Sequence, residues 1–123
     1  MAISAEYKAY ILEMLEPLDG ASIRGMFGGA GVFCHGVMIA LLSGERVYFK
    51  VDDHNRPDYE AEDCKPFDYT TKNGKRALMS YFEAPDYLYD DSEEMVEWAR
   101  KALDAALRAQ AAKTKPRKRK KRS

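Results

Sequence analysis

Between Ala21 and Val51 the chain breaks at Gly28-Gly29, at His35-Gly36 and at Ser43-Gly44-Glu45. The pieces between the breaks read ASIRGMF, AGVFC, VMIALL and RVYFKV, each short and rich in Val, Ile, Phe or Tyr. A parallel crossover needs about a dozen residues, so connections this short leave only antiparallel neighbours. The region therefore predicts a four-stranded meander. In its last strand Val47, Phe49 and Val51 point one way, and Arg46, Tyr48 and Lys50 the other.

Helical signals flank these strands. Ser4 is placed to cap a helix whose apolar positions are Tyr7, Ile11, Met14, Leu15 and Leu18; Pro17 limits it and Asp19-Gly20 turns the chain. Asp52–Lys65 reads as a short polar helix with Pro57 in its first turn. Pro66–Tyr69 and ALMSYF form a second strand pair around an Asn73-Gly74 hairpin turn, closed by Pro85. The last helix opens on a capping box at Asp91 and Glu94. Its apolar face is Met95, Trp98, Ala99, Ala102, Leu103 and Ala106, with Glu97–Lys101 and Asp104–Arg108 as supporting pairs on the other side. The order implies an α+β fold: one antiparallel sheet with helices packed on one face, the N- and C-terminal helices flanking two groups of strands.

The 123 residues suit a single domain, and the balanced formal charge conceals an asymmetry. Residues 113–123 hold eight of the 20 bases and no acid, so 1–112 carries all 20 acids against twelve bases, a net of −8. The division expected is an α+β domain over 1–112 and a disordered basic tail over 113–123. Screening acts within about 8 Å at cellular salt, so body and tail can act separately. The acidic body argues against nucleic acid or an anionic membrane across its whole surface. The tail residues Lys113, Lys115, Arg117, Lys118, Arg119, Lys120, Lys121 and Arg122 offer contacts to nucleic-acid phosphates. No signal peptide opens the chain and no run nears about 18 apolar residues, so a cytoplasmic protein with reduced Cys34 and Cys64 is expected, with no membrane contact.

Each stretch that invites chemistry has a structural alternative. Arg24–Gly29, RGMFGG, has the glycines of an anion-binding loop, with Arg24 as helper. It lacks the Lys-Ser/Thr and following helix of a phosphate loop, so a tight turn or close backbone approach is the expectation. Cys34-His35 lies on a strand end where adjacent side chains diverge, against a nucleophile–base pair. His54 among Asp52, Asp53 and Asp58 sits where Asp and Asn commonly cap, against a metal site. Among eight tyrosines, Tyr87 and Tyr89 stand with Leu88 in an acidic loop and are the candidates for a partner interface.

A series of these pieces carries a resemblance. Arg24-Gly25-Met26-Phe27-Gly28-Gly29 is followed by Val47-Tyr48-Phe49-Lys50 with Asp52, then by Pro66-Phe67-Asp68-Tyr69 and by Met79-Ser80-Tyr81-Phe82 with Pro85. The acidic cap Asp90-Asp91 leads into Glu97-Trp98-Ala99. Across roughly residues 5–108 the chain resembles the TfoX N-terminal domain family, the first domain of the bacterial competence regulators also called Sxy. The resemblance implies a one-sheet α+β fold, no known catalytic residues and, in the two-domain regulators, a link to transcription of DNA-uptake genes. Here the last helix leads into the basic segment, so a stand-alone domain is expected.

The resulting expectation is a non-catalytic regulatory or adaptor domain that binds a protein partner, without cofactor or metal, with nucleic acid reached through the tail alone. Monomer and homodimer both stay open. The alternative is a small-molecule-binding or enzymatic domain using the sheet face around Arg24, Lys50 and Tyr69. A deep pocket joining Arg24 to Lys50 would favour the alternative, and a shallow face the adaptor.

Overall fold

The meander forms where the glycine breaks place it. In this computed structural model, which describes residues 3–26 and 29–114, β1 (Ala21–Met26), β2 (Gly29–Cys34), β3 (Val37–Ser43) and β4 (Arg46–Lys50) pair antiparallel in succession. His35 and Gly36 both take positive φ, as a type I′ hairpin requires, whereas in the Gly44-Glu45 turn Gly44 does. β5 (Pro66–Thr71) and β6 (Gly74–Glu83) complete a six-stranded sheet of order β1-β2-β3-β4-β6-β5. Their turn sits one residue earlier than expected, at Lys72-Asn73. The Thr71 hydroxyl takes the Asn73 N–H and donates to the Gly74 carbonyl, each at 3.1 Å, and Gly74 opens β6 at φ 113°.

Helices cover one face of this sheet. The Ser4 hydroxyl accepts the Tyr7 N–H at 3.0 Å and starts α1 (Ala5–Met14); a 3₁₀ turn at Glu16–Leu18, with Pro17 inside it, follows. α2 (Arg56–Ala61) has its proline in the first turn. In α3 (Ser92–Thr114) the Asp91 carboxylate accepts the Glu94 N–H at 3.2 Å. Glu94 does not close the capping box; its carboxylate takes the Trp98 indole N–H at 3.3 Å instead. α3 lies on β3 and β4, and the fully buried Ala99, Ala102 and Ala105 let its backbone come close to the strands. Val96 and Ala105 join the expected apolar face, while Leu103 stays at its margin.

The expected pairs along α3 are replaced by links to the β4–α2 junction. Lys101 reaches Asp58 at 3.0 Å, not Glu97, and Arg108 forks onto Asp52 at 2.7 and 2.9 Å, not Asp104. Periodicity along one helix cannot reveal a neighbouring element whose carboxylates offer better geometry. The helix also includes Lys113 and Thr114, so the first two residues assigned to the tail belong to it. The other tail residues lie outside the described residues. Among the described residues no helix is long and apolar enough to cross a membrane.

Val32, Ala40, Leu42, Val47, Phe49 and Phe82 face the helices with Ile11, Leu15, Leu88 and Met95. One step in pairing shapes the opposite face. β4 pairs with β6 at Tyr81–Glu83 alone, and Pro66 lies opposite Phe82 but Phe67 opposite Leu78. Met79, Ser80 and Tyr81 thus form a three-residue bulge on the β5 side that bends β6. Beyond the bend the β5–β6 hairpin is an arm, and Phe67 meets the Tyr48 ring edge-on at 4.9 Å on the open face.

Trp98 is the contact most worth removing. It packs edge-on against Tyr59 at 4.8 Å, and Tyr59 continues to Phe82 at 5.8 Å, so one aromatic chain joins α3, α2 and β6. Trp98→Ala should cost about 3–5 kcal/mol, read as a large fall in the urea midpoint; an unchanged midpoint would contradict this placement.

Candidate functional site

The glycine stretch has a steric role where it is described. A Cβ on Gly29 would stand 2.5 Å from the Leu42 carbonyl oxygen, closer than any side chain tolerates. Its φ is not positive, so the requirement is close backbone approach rather than turn geometry. Gly28 lies outside the described residues. Gly31 is a further such position, since a Cβ there would lie 2.8 Å from the sulfurs of both Met26 and Met38. Arg24 lies on β1 opposite Gly31, its guanidinium 4.3 Å from the centre of the Phe33 ring. Lys50 stands three strands away on β4 with its ammonium 5.1 Å from the Tyr81 ring centre.

Neither cavity described below includes Arg24 or Lys50. The cavity on the open face lies elsewhere, between the sheet and the arm, with a volume of about 790 Å³. Met26, Gly29, Met38, Leu41 and Ser43 belong to its sheet side; Phe67, Tyr69, Thr70 and Leu78 belong to the arm. β1 and β5 are the two edges of the sheet, about 24 Å apart if it were flat with strands about 4.8 Å apart. That both border one cavity shows how strongly the sheet curls. Of the three residues assigned to a sheet-face site, the cavity includes Tyr69 alone. The sequence contained the other lining residues but no signal that the arm folds over them.

Tyr87 and Tyr89 part company. Tyr89 is half-buried: its hydroxyl accepts the Val47 N–H at 2.7 Å, its carbonyl accepts from the Tyr10 hydroxyl at 2.9 Å, and Arg46 lies 5.5 Å from its ring centre. It ties the 3₁₀ turn at Asp86–Asp90 to β4 and α1. Leu88 is fully buried, whereas Tyr87 is 43% exposed. Tyr87 borders a polar cleft of about 460 Å³ with Glu62, Asp63, Cys64, Glu83 and Asp86. Arg46 braces the cleft, bonding Glu83 through Nε and Asp86 through a terminal nitrogen, each at 2.6 Å.

The thiols are poor nucleophiles. Cys34 is buried, points its sulfur at the Asp19 carbonyl at 3.5 Å, and has its pKa raised first by burial and then by Asp19; His35 is turned out in the hairpin. Burial, then the nearby Glu62, pushes Cys64 up to about 11. The carboxylates around His54 serve the fold. Asp52 accepts the His54 backbone N–H at 2.9 Å as well as Arg108, Asp53 pairs with Arg56 at 2.7 Å, and Asp58 holds Lys101. Asn55, which sequence reasoning passed over, is the buried polar residue that fixes the junction: it accepts the Asp52 N–H at 2.8 Å and donates to the Lys50 carbonyl at 3.0 Å.

Two expected outcomes follow from these contacts. Gly29→Val should lose about 1–3 kcal/mol by overpacking against Leu42, with no accompanying change in nucleotide affinity; full stability with altered nucleotide binding would overturn the steric account. The Arg108 fork, then the His54 N–H, holds Asp52 down at about 2. A depressed carboxylate contributes stability above its unfolded pKa of about 3.9 and loses it as pH falls through the folded value. The pair is partly exposed, so its worth is about 1 kcal/mol or less. Urea midpoints of the wild type and Arg108→Ala should differ at pH 6 and converge between about pH 4 and 2; a gap that persists at pH 2 would exclude this origin.

A comparison with known families covers most of this fold. The TfoX N-terminal domain matches residues 13–106, from the end of α1 to the buried Ala106 of α3. No curated protein matches the chain. With the match spanning most of its 123 residues, the chain belongs to the TfoX N-terminal domain family.

Proposed function

We propose that this chain is a non-catalytic regulatory adaptor that docks a protein partner at Tyr87. Family membership supports a regulatory-type domain. The observation that carries the docking surface is how Tyr87 is held. Asp86 before it is clamped by Arg46, and Leu88 after it is sunk in the core, so the exposed ring stands on a fixed backbone. Glu62, Asp63 and Asp86 rim the same cleft. A pre-positioned aromatic with an acidic rim suits a partner segment carrying Lys or Arg beside an apolar group.

The second part of the proposal is the tail. The basic residues Lys113 to Arg122 would hold the acidic body near DNA or RNA by phosphate contacts. No aromatic residue interleaves the charges, so base stacking would add little and the tether would be sequence-independent.

Two measurements test the two parts separately. A photo-crosslinker at position 87 should capture a partner in cells of the source organism, and Tyr87→Ala should weaken the purified complex about tenfold or more without moving the urea midpoint. An undiminished complex removes Tyr87 from the interface. Fluorescence titration of labelled DNA should show binding by the full chain at low salt that falls steeply towards physiological salt and is lost in 1–112. Equal binding by both chains, or none by either, dismisses the tether.

A further inference from the structure

We infer that the cavity between the open sheet face and the β5–β6 arm is a binding site for an uncharged aromatic small molecule. This stands apart from the partner surface at Tyr87, which shares no lining residue with it.

Three features of the cavity select the ligand class. Its volume of about 790 Å³ lies within the roughly 300–1,000 Å³ range of small-molecule sites. A helix about 10–12 Å across its side chains would not enter beneath the arm for more than a turn or two. None of the described residues lining it carries a charge, so an ionised group placed inside would meet no counter-ion among them and would lose its hydration. The lining is chemically suited to a ring. Met26 and Met38 come together over Gly31 on the sheet, and thioethers adapt to and attract aromatic edges. Across from them Phe67 and Tyr69 stack nearly parallel, 17° apart with centroids at 6.0 Å, and give the arm side of the cavity two aromatic rings. Ser43 and Tyr69 supply hydroxyls, enough for one or two hydrogen bonds to a neutral polar substituent.

The glycine at 31 gives the argument independent weight. A side chain there would drive the two sulfurs apart, so the residue keeps the cavity floor built from thioethers. A bound ring would contact the sheet and the arm at once and so tie the arm to the sheet. Ligand occupancy then becomes a property that a regulatory domain can report.

The test uses the full chain labelled with ¹³C at its methionine methyls and titrated with 1-naphthol, a neutral fused ring with one hydroxyl. The Met26 and Met38 methyls should shift saturably, with a dissociation constant on the order of 1 mM or below. Met14 and Met95, buried under the helices, should stay in place. The carboxylate 1-naphthoate should bind about tenfold more weakly or worse. Tyr69→Glu, at an exposed position on the same side of β5 as Phe67 and lining the cavity, should abolish the naphthol shifts, while Met79→Glu, exposed and outside the lining, should leave them intact. Naphthol shifts that do not saturate, that appear at Met14 or Met95, that survive Tyr69→Glu, or that naphthoate reproduces at equal concentration would overturn the assignment.

Discussion

Phe82 joins the two halves of this molecule. It lies opposite Phe49 on β4 and opposite Pro66 on β5, and its ring meets Tyr59, which in turn meets Trp98. One residue earlier the β6 bulge begins. Because Phe82 is fixed in the core, the bend at Met79–Tyr81 has a rigid root, and the hairpin beyond it can leave the plane of the sheet without loosening β4. The helix-covered face and the arm-covered face thus come from the same strand, divided at one point.

Charge is divided in a similar way. Along α3, Lys101 and Arg108 serve Asp58 and Asp52 and fasten the helix to the β4–α2 junction, where Asn55 satisfies the exposed ends of the backbone. These contacts lie on a partly exposed flank and add register more than energy. Arg46 does the same for Glu83 and Asp86 at the other end of the sheet. Carboxylates such as Glu62 and Asp63 gather instead around the exposed Tyr87.

The elements legible in the sequence were those governed by local chemistry. Glycine at each hairpin, alternation in Val47, Phe49 and Val51, the Ser4 and Asp91 caps and the α3 stripe each follow from residues a few positions apart. The errors arose where a distant element intervened. Thr71 moved the hairpin turn back by one residue, and Asp52 and Asp58 drew Arg108 and Lys101 from their helical neighbours. The cavity was hidden for the same reason. Its sheet side and its arm are separated by some forty residues and meet because β6 bends, and a bulge of three residues has no local signature in GKRALMSYFE. The alternative reading of a site around Arg24, Lys50 and Tyr69 drew on the sheet face they share; Arg24 and Lys50 are each laid on an aromatic ring, and Tyr69 lines the cavity.

The central claim is that the sheet curls until its edge strands β1 and β5 face one another across the open side. A nitroxide attached at position 69 in a Tyr69→Cys, Cys64→Ser chain tests this most directly, read through broadening of the methionine methyl resonances. The buried Cys34 stays unlabelled in the folded protein. A curled sheet places the label beside Met26 and Met38 and predicts strong broadening of both, with less at Met14 and Met95 beneath the helices. In a flat sheet the label would stand about 24 Å from β1, and a sharp, unperturbed Met26 methyl would contradict the account.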